Sequence, residues 1–149
     1  MSGEYQLSII LYDQDGESID GSHWGLIFHM DDSEVGNLFH VTLLDPKLQV
    51  YQLDQRHGYL IHSKNSSGYF NVARISQYQC VWAAGIIEKE TIPVDATATC
   101  KEWVLNCLIS LEVEELVPAG TSLWLEPLLK LPLEDIVDRL EDKWHCLKS

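Results

Sequence analysis

The chain has 149 residues, 46% of them apolar, and a formal net charge of −13 from 23 acidic and 10 basic side chains. A chain of this length buries a core without metal or disulfide staples, and no apolar run reaches the roughly 18 residues that a spanning helix needs. The acidic balance, with no basic aromatic stripe against it, argues against nucleic acid and against stable docking on anionic membranes.

The start, "MSGEYQLSII", has no basic segment followed by an apolar one, so no secretory signal is expected and a cytoplasmic location is. "YQLSIILY" (5–12) reads as a strand, and "DQDGESIDGS" after it as a turn-forming loop. "HWGLIF" (23–28) alternates, with Trp24, Leu26 and Phe28 on one side and His23, Gly25 and Ile27 on the other. "MDDSEVGN" interrupts the pattern, and "LFHVTLL" (38–44) resumes it. Further strands are expected at 49–53, 58–63 and 77–87.

The second half changes period. Cys100, Trp103, Val104, Cys107, Leu108 and Leu111 recur at helical spacing, with Thr97 or Thr99 as the cap. "VPAG" stops that helix, and a second is expected from about Leu133 to Lys143, with Ile136, Val137, Leu140 and Trp144 on one face. "TSLWLEPLLKL" between them is apolar but proline-broken and fits neither pattern. No repeat, linker or shift of composition divides the chain. The expectation is one α+β domain over 1–149, an antiparallel sheet first and packed helices after it.

Four cysteines without CxxC or zinc-finger spacing read as free thiols. Cys100 stands in or just before the first turn of a helix, where unpaired N–H groups and the helix dipole favour a thiolate. Cys107 lies two turns further in, beyond that effect. A thiolate also needs a histidine oriented by a third polar group. If a hairpin turns through residues 29–34, His23 falls opposite His40, and the second ring holds the first. Two facing imidazoles with an acidic residue can also bind zinc, but no third ligand is spaced for it, so no metal is expected.

The order "HWGLIF", a short hairpin to "LFHV", then a distant "TCKEWV" resembles the permuted papain-like group. That group includes lecithin–retinol acyltransferase, its phospholipid-metabolising relatives and small uncharacterised fungal proteins. His23–Trp24 matches its first motif, His40 its second, and Cys100 with Trp103–Val104 its third. The match covers roughly residues 5–112. Thr99 stands where the group has asparagine, Glu102 replaces the acyltransferases' histidine, and no counterpart of their membrane anchor is expected.

The resemblance implies a permuted papain-like fold, with His-bearing strands before the Cys-bearing helix. It implies a hydrolase or acyltransferase acting on an amide, ester or thioester of a small molecule or peptide, without a cofactor. Cys100 would be the nucleophile, His23 its base and His40 the orienting group. Trp24, Tyr12 and Trp103 would line the substrate site. Two other readings stay open: a catalytically silent papain-like binding module, and a scaffold diverted to acid–base chemistry. Cys100, Trp103 and Cys107 also describe a plain core face. The oligomeric state is not legible.

Overall fold

The computed structural model describes residues 4–13, 22–31, 33–45, 50–62, 66–92 and 100–147. Five long strands come first: β1 (Glu4–Asp13), β2 (Ser22–His29), β3 (Val35–Asp45), β4 (Val50–Leu60) and β5 (Ser66–Ser76). The helices α1 (Gln77–Lys89), α2 (Cys100–Val113), α3 (Thr121–Leu125) and α4 (Leu133–Leu140) follow, and a short strand β6 (His145–Cys146) returns to the sheet. The strands form one antiparallel sheet in the order β4-β3-β2-β1-β5-β6. The class is α+β. Among the described residues no helix is long and apolar enough to cross a membrane.

Period-2 alternation divides the sheet's two faces. Leu7, Ile9 and Leu11 of β1, Trp24, Leu26 and Phe28 of β2, and Phe39 and Val41 of β3 enter one large core. From the helices it receives Ala83, Ile87, Trp103, Val104, Cys107, Leu108 and Leu111. The opposite face holds a smaller cluster of Ile10, Tyr12, Ile27, Leu38 and Ile61. β1 is central and buried on both faces, which is why "YQLSIILY" is nearly continuously apolar. Each large side chain buried here contributes about 1.5–3 kcal/mol relative to exposure.

Three expectations need correction. Residues 77–87 are helical rather than extended. A continuous apolar run does not reveal its period, and the start signal lies one residue earlier. Ser76 accepts from the Gln79 N–H while the Gln79 side chain accepts from the Ser76 N–H, a capping box. Residues 66–76, "SSGYFNVARIS", form β5, where no strand was expected. Its polar residues fall on exposed or hydrogen-bonded positions while Phe70 and Ile75 enter the core. The segments 49–53 and 58–63 belong largely to one strand, β4, which passes through Gly58 at φ 65°.

The second helix forms as expected: α4 and a 3-10 turn (Glu141–Lys143) cover Leu133–Lys143, with Ile136 and Leu140 buried. The undecided segment 121–131 becomes α3 followed by a 3-10 helix (Glu126–Lys130). The proposed caps of α2, Thr97 and Thr99, lie outside the described residues.

Candidate functional site

The β2–β3 hairpin positions the two histidines, in a register different from the expected one. Leu26 pairs with Phe39 and His29 with Gly36. Extended by one residue, this places Gly25, not His23, opposite His40. His23 and His40 are diagonal neighbours, two positions apart and therefore still on one face. His23 Nε2 and His40 Nδ1 are 2.8 Å apart, with the rings 74° to one another. His40 reaches across Gly25, where a Cβ would lie 3.2 Å from its own Cβ.

His29, expected in the turn, is instead the last residue of β2 and is 2% exposed. Its Nε2 lies 2.8 Å from Ser8 Oγ and its Nδ1 3.1 Å from the Met30 carbonyl oxygen, so it belongs to a separate buried network.

The chain of polar groups continues into β4. His40 Nε2 and Asp54 Oδ2 are 2.8 Å apart, and Arg56 Nε donates to the same oxygen at 2.8 Å. Burial raises the Asp54 pKa, but hydrogen bonds from Arg56 and His40 outweigh it and hold the carboxyl below its ordinary range. Burial lowers the His40 pKa, with the Asp54 bond opposing, so the ring is neutral at neutral pH.

The His40 tautomer then follows from an ionised Asp54 and a neutral His40 ring. Asp54 can only accept, so His40 carries its proton on Nε2 and its Nδ1 is the acceptor. His23 must therefore donate from Nε2, and in the neutral form of its ring Nδ1 is the basic nitrogen. Asp54 and Arg56 did not emerge from the sequence. Their signal, alternate positions of β4 facing His40, depends on a register that only pairing sets.

Cys100 is the first residue of α2, 9% exposed, and its side chain lies on the helix's core-facing side. The N–H of Trp24 donates to Cys100 Sγ at 3.5 Å. The thiol thus sits at the peptide that joins His23 to Trp24. A donated N–H and the start of a helix both favour a thiolate. Burial pushes the Cys107 thiol well above its ordinary range, with Glu90 adding to the effect, and raises Cys80 to about 11. Neither has the features of a nucleophile.

Of the three expected substrate-lining residues, Trp24 and Trp103 lie in the helix-side core and Tyr12 in the cluster on the opposite face of the sheet. Tyr12 pairs with His23 across β1 and β2, with ring centroids 5.9 Å apart. Trp24 lies on the helix side of the sheet, where Lys101 Nζ stands 5.7 Å from its ring centroid. Trp103 is one turn along α2 from Cys100 and 1% exposed. Tyr12 Oη, Trp24 Nε1 and Trp103 Nε1 are the buried side-chain polar atoms without a hydrogen-bond partner among the described residues. Native structures rarely leave such donors unmatched without a reason. Burial, with the neighbouring Tyr59 phenol, pushes the Tyr12 pKa far up, so its hydroxyl stays a donor.

Of the other tryptophans, Trp144 packs against the core. Trp124 lines a cavity of about 400 Å³ with Asn71, Thr121, Lys143 and His145. Trp82 projects from α1 and is 47% exposed. Among the described residues no three histidine, cysteine or carboxylate side chains are placed to share a metal ion.

Compared with protein-family models, with curated proteins and with solved structures, the chain finds no match in any of the three.

Proposed function

We propose that this chain is a papain-like thiol hydrolase or acyltransferase, permuted so that its histidines precede its cysteine. The observation that carries the reading is the run of groups at the start of β2: Cys100 Sγ at the Trp24 N–H, then His23, His40 and Asp54 linked at 2.8 Å each. A plain core would not need a histidine pair whose tautomers a carboxylate sets.

In the proposed reaction the Cys100 proton passes to His23 Nδ1, and the thiolate attacks the acyl carbon of an amide, ester or thioester. The new carbon–sulfur bond creates an oxyanion, which the Cys100 N–H and neighbouring backbone donors stabilise. His23 returns the proton to the leaving group as its bond breaks. Water or another acceptor then attacks the thioacyl carbon and loses its proton to His23; the carbon–sulfur bond breaks, the acid or transferred product leaves, and His23 returns that proton to the Cys100 thiolate. His40 positions His23, and Asp54 positions His40. Tyr12, Trp24 and Trp103 would form the walls behind this centre rather than donate to a substrate, since all three are buried.

The test is alkylation of all four thiols against pH, read by residue-resolved mass spectrometry, in the native chain and in His23→Ala. Rapid labelling of Cys100 below the ordinary thiol pKa of about 8.5, slowed in His23→Ala, supports the reading. Slow labelling of Cys100, indifferent to His23, overturns it.

A further inference from the structure

We infer that the cavity beside Trp124 is a binding site for a small carboxylate carried on an aromatic ring. The cavity holds about 400 Å³, within the roughly 300–1,000 Å³ of small-molecule sites. Its lining comes from β5, the turn into α3 and the segment entering β6. No carboxylate lines it, in a chain with 23 acidic and 10 basic side chains. Its apolar wall is the Trp124 ring with Val72 and Ala119. Core packing fixes that wall, because Trp124 stands edge-on to the buried Phe70 with ring centroids 5.9 Å apart.

The polar groups on the cavity are mainly donors. Asn71 is the cross-strand partner of Ser8, which is fully buried, and Ser8 Oγ donates to Asn71 Oδ1 at 2.6 Å. That is an O–H···O length, so the carboxamide keeps its oxygen inward and leaves its amide N–H groups for the cavity. Trp124 Nε1 can only donate. Lys143 adds the charge, with Nζ 5.2 Å from the Trp124 ring centroid. Thr121 donates its hydroxyl proton to the Pro118 carbonyl oxygen. His145, stacked on Tyr69 with centroids 4.7 Å apart, closes the β6 side.

This set selects among ligands. A cation would meet Lys143 with no carboxylate in the lining to balance it. A phosphate dianion draws on backbone N–H groups. At the turn into α3, Glu112 already accepts the Ser122 N–H at 2.9 Å and also takes the Gly120 N–H. Its negative charge opposes a dianion there more than a singly charged group. Glu141 and Asp142, beside Lys143 in the 3-10 turn, are exposed and do not line the cavity. A single carboxylate matches one lysine and one amide, and its ring packs against the Trp124 indole.

Titration of the full chain with benzoate, followed in amide NMR spectra, tests the inference. The expected result is saturable shifts of the Asn71 side-chain amide and the Trp124 indole N–H. Benzylamine, benzamide and inorganic phosphate should bind about 5-fold more weakly or worse. Asn71→Asp keeps the bond from Ser8 but sets a carboxylate where the amide N–H groups stand, so it should abolish benzoate binding. Lys143→Met, at an exposed position, should weaken that binding about 5-fold, and Lys143→Arg should retain it. Circular dichroism checks that these variants keep the fold. Absence of saturable shifts at these two groups, equal binding of benzylamine, benzamide or phosphate, or benzoate binding unchanged in Asn71→Asp would each overturn it. Cys100 alkylation plays no part in these readouts, so this inference and the thiol-enzyme reading stand or fall separately.

Discussion

His40 bonds to His23 across Gly25, from a diagonal position in the hairpin rather than from the one directly opposite. A pleated sheet repeats its faces every second residue, so a displacement of two keeps both rings on one side. The missing side chain at position 25 supplies the room.

Gly25→Ala tests that room. The added Cβ would stand 3.2 Å from both His40 Cβ and Leu38 Cδ1, so His40 must shift by a few tenths of an ångström. Replacing glycine within a strand otherwise stabilises by roughly 0.5–1 kcal/mol. The expected outcome is stability within about 1 kcal/mol of the native chain, together with slower Cys100 alkylation. Unchanged alkylation would show that the diagonal bond does not tune the thiol.

Asp54→Ala removes the group that fixes the His40 tautomer. Without it either nitrogen of His40 can carry the proton, and His23 Nδ1 is no longer held as the base. Cys100 alkylation near neutral pH should slow by about 10- to 100-fold, at or below the low end of general-base effects, because Asp54 acts through His40. Arg56→Ala should do less, because that side chain is 60% exposed and its hydrogen bond is to Asp54, not to His40. A larger loss from Arg56 than from Asp54 would reverse this order of roles.

Acid should destabilise the fold through its buried imidazoles. Burial lowers the pKa of both His29 and His40, against opposing contributions from the Met30 carbonyl and from Asp54 respectively. The unfolded chain then binds more protons than the folded one as pH falls below about 6.5, so stability falls with it. The Asp54 carboxyl, held below its ordinary range, stabilises above that range and its contribution is lost only at lower pH. Urea denaturation from about pH 7.5 to about pH 5 should show a falling midpoint, flattened in His29→Gln. A midpoint constant across that window would contradict the assignment.

Gly68→Ala should loosen the last strand. A Cβ at Gly68 would run into the Trp144 ring and lie 2.6 Å from the His145 carbonyl oxygen. Either β6 moves away or the strand distorts, at about 1–3 kcal/mol. The expected signs are a lower unfolding midpoint and faster proteolysis near residues 144–147, with Cys100 labelling unaltered. Native protease resistance in this variant would show that the segment adapts.

The sequence by itself determined the class and the two-part order. Period-2 alternation in "HWGLIF" and helical spacing from Cys100 to Leu111 are local properties, and both survive in the fold. It also separated Cys100 at a helix start from Cys107 inside the core. Only the tertiary structure decided the rest. Register is set by side chains meeting across strands, so neither Gly25 opposite His40 nor Asp54 beyond it could be read from one strand alone. The strand expected at 77–87 is a helix, because a mostly apolar run suits either element and the Ser76–Gln79 capping box starts a helix there. That helix then turned Tyr78, Val81 and Trp82 outward, since a 13-residue helix can set only one side against the sheet.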